Sequence, residues 1–406
     1  MARKMKDSGI EWIGEIPERW EVVPVKRLCT MQAGKNLTSE QIAPEGTYPV
    51  YGGNGTRGFF SDYNCDGHFL TVGRQGALCG NVHKVNGKVW ATEHAVITTP
   101  SSYTSLDFLY YLLIGMDLNQ YVSSTAAQPG LAVGTLLNLK TCYPCSTLEQ
   151  TQISNYLNAK CSEIDVMLSK THSSIGEYKK LKQAVITQAV TKGVRGKREM
   201  KDSGVEWIGE IPKEWDILNL VAHTSMLTPM RDRPENLDGP IPWIRIEDFD
   251  GKYISSSKAS LGVSKETVRS MNLKIYPVGT ILCTSSCIMG KCAIVSRELV
   301  SNQRFIGIIP DQNTCENFLY YLMLSNSERM NYLATGALQA NLSRSSFEHL
   351  KVQFPSYQEQ KEISDYLDTK CAEIDKLIAK KEQLVKELES YKKSLIYEVV
   401  TGKREV

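Results

Sequence analysis

Apolar residues recur along this chain with two different periods. Between residues 359 and 399, Ile363, Leu367, Ile374, Leu377, Leu384, Leu388, Tyr391, Leu395 and Val399 follow three- and four-residue steps, separated by Lys and Glu. No Pro or Gly interrupts them before Gly402, so the spacing predicts one long amphipathic helix. Residues 149–190 carry a similar, weaker stripe in Ile153, Leu157, Ile164, Leu168, Ile175, Tyr178, Leu181 and Val185. About 40 residues at 1.5 Å each make a rod of roughly 60 Å. Long helices with a narrow apolar stripe commonly pair as coiled coils, and two in one chain can satisfy each other. Separate packing of each helix on its own domain meets the same pattern.

The stretches between the helices read at a shorter period. YPVYG, GHFLTVG and KVWATEHAVITT within residues 47–100 are β-rich runs broken by Gly and Asn, as are IPWIRIEDF, TILCTSS, CAIVSR and FIGIIP within 240–310. They predict strands and tight turns.

These elements are written twice. MKDSGIEWIGEIPERW at residues 5–20 returns as MKDSGVEWIGEIPKEW at 200–215, and EQTQISNYLNAKCSEID at 149–165 returns as EQKEISDYLDTKCAEID at 359–375. The second offset, 210 positions, also carries DFLYYLL at 107–113 onto NFLYYLM at 317–323 and AVITQAVTKG at 184–193 onto SLIYEVVTGK at 394–403. TAAQPGL at 125–131 resembles GALQANL at 336–342 with a one-residue slip. A repeat of this length is one structural unit used twice. The junction GKREMKDSG at 196–204 looks like the chain's last residues, GKREV, joined to its first, ARKMKDSG; the two ends are therefore expected to lie close together. In the opening segment, Asp7-Ser8-Gly9 predicts a turn, Pro17 stops any helix, and Trp12, Ile13 and Trp20 offer apolar anchors. It reads as a clip docking each domain to the long helices, with DNA contact as the other reading.

Composition narrows the class. A chain of 406 residues exceeds one ordinary core of ~250–300 residues, so two or more domains are expected. The apolar share of 42% and charged share of 23% fit a folded globular protein. MARKMKDSG lacks the apolar run of a signal peptide, and no run of ~18 uncharged apolar residues occurs. A cytoplasmic protein with no membrane partner is expected. Eleven cysteines, an odd number in apolar or helical surroundings, are expected to be reduced.

Candidate catalytic patterns are sparse. GNGTRG at 53–58 satisfies G-x-G-x-x-G, but TYPVY precedes it and the turn-rich FFSDYNCDG follows, where a dinucleotide fingerprint needs a helix start. Cys142 and Cys145 have metal-ligand spacing without two further ligands nearby. Glu93 and His94, as neighbours on a strand, are expected to face opposite sides. There is no G-x-S-x-G, H-E-x-x-H or G-x-x-x-x-G-K-[ST]. No catalytic residue, metal ligand or cofactor site is assigned.

The remaining signal is positive charge on loops, because the net charge of +2 neither demands nor excludes nucleic acid. In the first middle segment Arg57, Arg74, Gln75, Lys84 and Lys88 sit in or beside Gly turns, with the amides Asn54 and Asn81. In the second, Arg231, Arg233, Arg245, Lys258, Lys265, Lys291, Gln303 and Arg304 do. Arg reads guanine, and Asn or Gln reads adenine, in two-point fashion. Lys serves phosphate better. Each of these residues could equally be a solvated surface group.

The leader SGxEWIGEIPxxW, the run YGGNGTRGFFSDY…FLTVGRQGALCG, the later IPWIRIEDFDGKYI and SNQRFIGIIP, and the helix opening LEQ…I…YL…K…EID together resemble the specificity subunits of type I restriction-modification systems. The resemblance implies an α/β (α+β) fold with two globular target-recognition domains, two long antiparallel helices forming a coiled coil, and a pseudo-twofold internal repeat. On the residues, the domains are 1–148 and 200–358, and the helical regions 149–199 and 359–406. It also implies a non-catalytic subunit that binds double-stranded DNA, two methyltransferase subunits and restriction subunits. S-adenosylmethionine, ATP and magnesium would serve those partners. VGRQGALCG at 72–80 matches the first domain's pattern, making Arg74 and Gln75 the leading contacts; CTSSCIMGK at 283–291 lacks that Arg. The other two readings are a coiled-coil scaffold without DNA specificity and an enzyme holding a nucleotide on GNGTRG.

Salt titration of a gel shift separates these readings. A DNA reader loses affinity steeply with added salt because releasing counterions into a saltier solution gains less entropy, a scaffold shows no shift, and a nucleotide enzyme binds NAD or ATP until Gly55→Ala abolishes it.

Overall fold

The computed structural model describes residues 3–75, 79–122, 130–229, 233–286, 290–334 and 342–406. Four helices organise them: α1 (Leu106–Gly115), α2 (Thr147–Lys192), α3 (Glu316–Ser325) and α4 (Tyr357–Val400). The chain divides into two compact units, Met1–His172 with Glu382–Val406, and Ser173–Lys381. Each long helix therefore gives one part of its length to each unit.

Where segments of α2 and α4 pair, they run antiparallel, and the buried stripe of α4 keeps Ile363, Leu367, Ile374, Leu395 and Val399 of the one read from apolar spacing but departs from it in the middle. Leu181, Leu377, Leu384 and Tyr391 are 48, 41, 42 and 50% exposed, whereas Ile378 and Val385 are buried. One inward row of α4 is 371, 378, 385, 392 and 399, a heptad row, with Ile374 and Leu395 buried beside it. Leu377, Leu384 and Tyr391 form a row with the same repeat, one residue to the side. Apolar counting ran through Leu377, Leu384 and Tyr391 because the buried row beside them contains Lys392. This lysine is paired with Asp165 at 2.6 Å in the first unit, and its counterpart Lys182 with Asp375 at 2.6 Å in the second. A lysine on an inward position costs stability and specifies register.

Each core is completed by the end of a long helix from the other sequence repeat. Leu395, Ile396, Val399 and Val400 of α4 are buried with Trp20, Leu70, Phe108 and Leu157 in the first unit. In the second, Ile186, Ala189 and Val190 of α2 are buried with Trp215, Ile281, Phe318 and Leu367. Arg3 and Glu405 line one cleft, so the ends of the chain are close, as the junction sequence predicts.

The repeated Glu-Gln at the start of each long helix has a defined role. Trp20 Nε1 donates to Glu149 at 3.0 Å and Trp215 Nε1 to Glu359 at 3.0 Å. Arg3 and Arg198, stacked on those tryptophans at 5.5 and 5.2 Å, pair with the same carboxylates. The buried Gln150 accepts from Ser105 N–H at 2.8 Å and donates to the carbonyls of Tyr103 and Pro144. Gln360 does the same for Cys315, Asn313 and Pro355. Clip, short helix and long helix are thus joined at one point in each unit.

The sheets repeat with equal fidelity. An antiparallel sheet in the first unit has the order Cys29–Ala33, Ala95–Pro100, His68–Gly73, Val82–Asn86. Its counterpart runs Thr224–Leu227, Phe305–Pro310, Ile281–Thr284, Cys292–Val295, with Tyr253–Ile254 added in parallel. Phe69 to Gly73 are all buried, as expected of a strand covered on both faces. A smaller sheet places Tyr48–Gly52 between Gly55–Phe60 and Trp90–Ala91. Its counterpart places Ile241–Ile244 between Gly262–Val263 and Val300–Ser301. Two predicted strands are shorter than expected. KVWATEHAVITT breaks at a turn over Thr92–His94, and IPWIRIEDF ends at Ile244 where residues 246–248 form a 3-10 turn.

Ile186→Ala and Ile396→Ala remove equivalent buried side chains and should each cost about 2–5 kcal/mol in urea denaturation. Hydrogen exchange should localise the loosening of Ile396→Ala to the first unit and that of Ile186→Ala to the second.

Candidate nucleic-acid interface

In the first unit, one end of the main sheet gathers several of the sequence-predicted residues. Gly73 accepts the N–H of Gly80, and Asn81 accepts that of Gly73, closing the turn after strand His68–Gly73. Arg74 N–H donates to His94 carbonyl at 3.0 Å, Leu131 N–H donates to Arg74 carbonyl at 2.8 Å, and Gln75 bridges to Gly130. The hairpin 52–55 lies against this edge, with Asn81 donating to Asn54 Oδ1 at 2.6 Å. A Cβ on Gly53 would meet the Gln75 carbonyl at 3.3 Å and the His94 carbonyl at 3.5 Å. Asn54, Arg74 and Gln75 therefore converge with Asn81 and His94, while Arg57 is exposed on the next strand and packs its stem over Gly52. Arg74 Nε is buried without a hydrogen-bond partner. Burial lowers the pKa of nearby His83.

The other two predicted cations of this unit, of which Lys84 lines a cleft with Asn54 and His83, are engaged by other side chains. Lys84 pairs with Asp107 at 2.6 Å and lies 4.6 Å from the Tyr110 ring centre, tying the sheet to α1. Lys88 lies 4.5 Å from the Tyr63 ring centre. Lys252 does the work of Lys84 in the second unit, pairing with Asp368 beside Tyr321.

The second unit builds the same edge with different side chains. Ser285 N–H donates to Arg304 carbonyl at 2.8 Å, Leu342 N–H to Ser285 carbonyl at 2.9 Å, and Thr284 N–H to Lys291 carbonyl at 2.9 Å. By these bonds Ser285 holds the place of Arg74, Lys291 that of Asn81 and Arg304 that of His94. Gly80 and Gly290 have φ of +90° and +79°, and a Cβ would come within 2.9 Å of Asn119 N and 2.3 Å of Ser327 Cβ, so both turns need glycine. Lys291, Gln303 and Arg304 are exposed. Arg245 follows Ile244, which pairs with Ser301, and its Nε is buried without a hydrogen-bond partner, 4.0 Å from Glu247 Oε2.

Asp248, passed over in the sequence, organises this loop. Its buried carboxylate accepts from Arg245 N–H at 2.7 Å, Lys258 N–H at 2.8 Å and Ser257 Oγ at 3.2 Å. The D in IPWIRIEDF was the available signal, since Asp commonly accepts backbone N–H groups in turns. Lys258 Nζ is 3.3 Å from Asp250. Arg233 is exposed on the preceding loop. Arg231 lies outside the described residues, as do Gly76, Ala77 and Leu78 of VGRQGALCG, Cys287, Ile288 and Met289 of CTSSCIMGK, and most of TAAQPGL and GALQANL.

Three other sequence features acquire a structural account. Glu93 and His94 do not face apart: they occupy a turn, and His94 Nε2 is 3.1 Å from Glu93 Oε1. GNGTRG forms a hairpin whose second strand is Gly55–Phe60, so no helix start is available there for a pyrophosphate. Cys142 Sγ is buried against Val400 carbonyl and its thiol is pushed up to about 12 by burial, while Cys145 is exposed.

The family model described as type I restriction modification DNA specificity domain matches residues 17–167 and again 216–387. The type I restriction enzyme EcoprrI specificity subunit of Escherichia coli is 44% identical over 121 residues, 29% of this chain and 30% of that protein. The type I restriction enzyme MjaIX specificity subunit of Methanocaldococcus jannaschii is 34% identical over 168 residues, 39% of this chain and 38% of its own length. The chain thus spans less than two-fifths of either curated relative in these matches. A chain solved in work on complex assembly and conformational transition of the type I R-M system shares the fold, with a TM-score of 0.72 over 96% of this chain and 99% of its own at 12% identity. Each matched block holds one such sheet edge and the start of one long helix, and the chain belongs to the type I restriction modification DNA specificity family.

Proposed function

We propose that this chain is the sequence-specific DNA-binding subunit of a type I restriction-modification complex, each unit reading one half of a bipartite, asymmetric site. The observation that carries the reading is one backbone scaffold presenting two chemistries. Asn54, Arg74, Gln75, Asn81 and His94 meet at one edge; Arg245, Ser285, Lys291 and Arg304 occupy the corresponding edge. Arg bonds guanine O6/N7, Asn and Gln bond adenine N6/N7, and Ser bonds either. Arg57, Lys258 and the other loop cations, with the amide of Gln303, position the duplex through phosphate.

The subunit contributes no bond-making chemistry in this reading. It binds double-stranded DNA, the long helices set the gap between half-sites and dock two methyltransferase subunits, and restriction subunits join that assembly. S-adenosylmethionine, ATP and magnesium belong to those partners, in the cytoplasm. Among the described residues no helix is long and apolar enough to cross a membrane.

Methylation mapping in cells carrying this subunit and its methyltransferase tests the layout. Exchanging residues 20–145 for another such domain should change one half-site only, and adding residues within 165–190 should change the spacer only; both halves changing from one exchange contradicts it. Arg74→Ala should relax specificity at one position of its half-site, at a cost of about 1–3 kcal/mol in duplex binding.

A further inference from the structure

The clip is written twice but seated in two ways. In the first unit Trp12 packs against Tyr397 with ring centres 6.4 Å apart. The Tyr397 hydroxyl donates to Trp12 carbonyl at 2.9 Å and accepts from Lys403 Nζ at 2.6 Å. The position that repeats Tyr397 is Thr187, too small to cover an indole, and the corresponding Trp207 is 43% exposed. Arg329, on the short helix Ser327–Leu333, lies over it instead. Its guanidinium is 4.0 Å from the Trp207 ring centre and 4.9 Å from that of Tyr332. Tyr332 is 79% exposed.

This stack contributes little as a folding device, since exposed cation–aromatic contacts are weak. Arg329 Nε is buried without a hydrogen-bond partner. Among the described residues no carboxylate forms an ion pair with Arg329, its neighbours Glu206 and Glu328 included. The stack is also continuous with the second reading edge. Ser327 lies against Gly290, next to Lys291, and beyond Tyr332 the chain returns at Leu342, whose N–H donates to Ser285 carbonyl.

We propose that Trp207, Arg329 and Tyr332 form a second DNA-contact site, the guanidinium taking a backbone phosphate and the rings packing on the adjoining deoxyribose. The inference rests on the DNA-reading function proposed above and extends it to duplex flanking the second half-site. The charge selects the occupant: an uncompensated, ring-held guanidinium matches a phosphate anion, and its planar fork binds two oxygens at once. Such a contact fixes position and carries no base preference.

The test measures binding of a random-sequence duplex pool by the full chain, alone and assembled with its methyltransferase, across a salt series. Arg329→Ala should weaken binding roughly tenfold at about 0.15 M salt, lower the salt slope by about one, and leave the preferred sequence unchanged. Tyr332→Ala, which removes only an exposed ring, should weaken binding in the same direction and carries the test if Arg329→Ala fails to fold. Unchanged affinity and slope in the folded variants overturn the proposal. So does weakened methyltransferase assembly with DNA affinity intact, which would make the stack a protein-docking site. If the unmodified chain prefers no sequence in either form, the DNA-reading function fails, while the Arg329→Ala slope still decides whether the stack holds phosphate.

Discussion

The glutamate and glutamine that open each long helix hold the architecture. A buried primary amide has two donors and an acceptor to satisfy, and Gln150 satisfies them with the first N–H before α1 and two loop carbonyls. The adjacent carboxylate takes an indole N–H and a guanidinium from the clip. Because a buried polar group left unpaired costs about 1–3 kcal/mol, these bonds fix the orientation of clip and short helix on the long helix. Gln360 and Glu359 repeat the set, which accounts for the conserved spelling between the repeats. The sheet, and so its candidate edge, inherits its placement on the helix from this junction through the buried face of α1 or α3.

A fixed junction leaves the edge free to vary. The first unit places its arginine directly after the strand at Arg74, whereas the second has Ser285 there and puts cations at Lys291 and Arg304, on the neighbouring chain segments. The backbone bonds are the same in both, so exchange of side chains leaves the scaffold intact. Lys84 and Lys252 show the converse. They come from different segments, Lys84 from strand Val82–Asn86 and Lys252 from the bend before strand Tyr253–Ile254, yet both end beside the paired tyrosines of the short helix, because that contact serves the scaffold.

Much of this was legible before the fold was known. The long helices, the duplicated unit, the neighbourhood of the chain ends and the Arg74–Gln75 turn follow from periodicity, spelling and glycine placement. The middle of the inward stripe of α4, Ile378 and Val385, did not, because Leu377, Leu384 and Tyr391 keep the same seven-residue interval as that row, and a paired lysine at 392 hides it. The ion pair of Lys84 was hidden for a related reason: a lysine beside a turn looks the same whether it faces solvent or lies over Tyr110 next to Asp107. Asp248 was passed over because its partners, the backbone of Arg245 and Lys258, are visible only once the loop has closed.

What the sequence determined by itself were the properties set by neighbours along the chain: where helices run, where turns fall, and that one unit is used twice. These depend on interactions a few residues long. Which faces are buried, which cations are already paired, and which loops gather at one sheet edge were decided by tertiary structure, since each depends on groups distant in sequence. The clip shows both sides of this division. Its two copies are spelled almost alike, yet Trp12 is covered by Tyr397 while Trp207, opposite a threonine at the repeated position, is left open to Arg329; the difference lies in the helix that meets the clip, not in the clip itself.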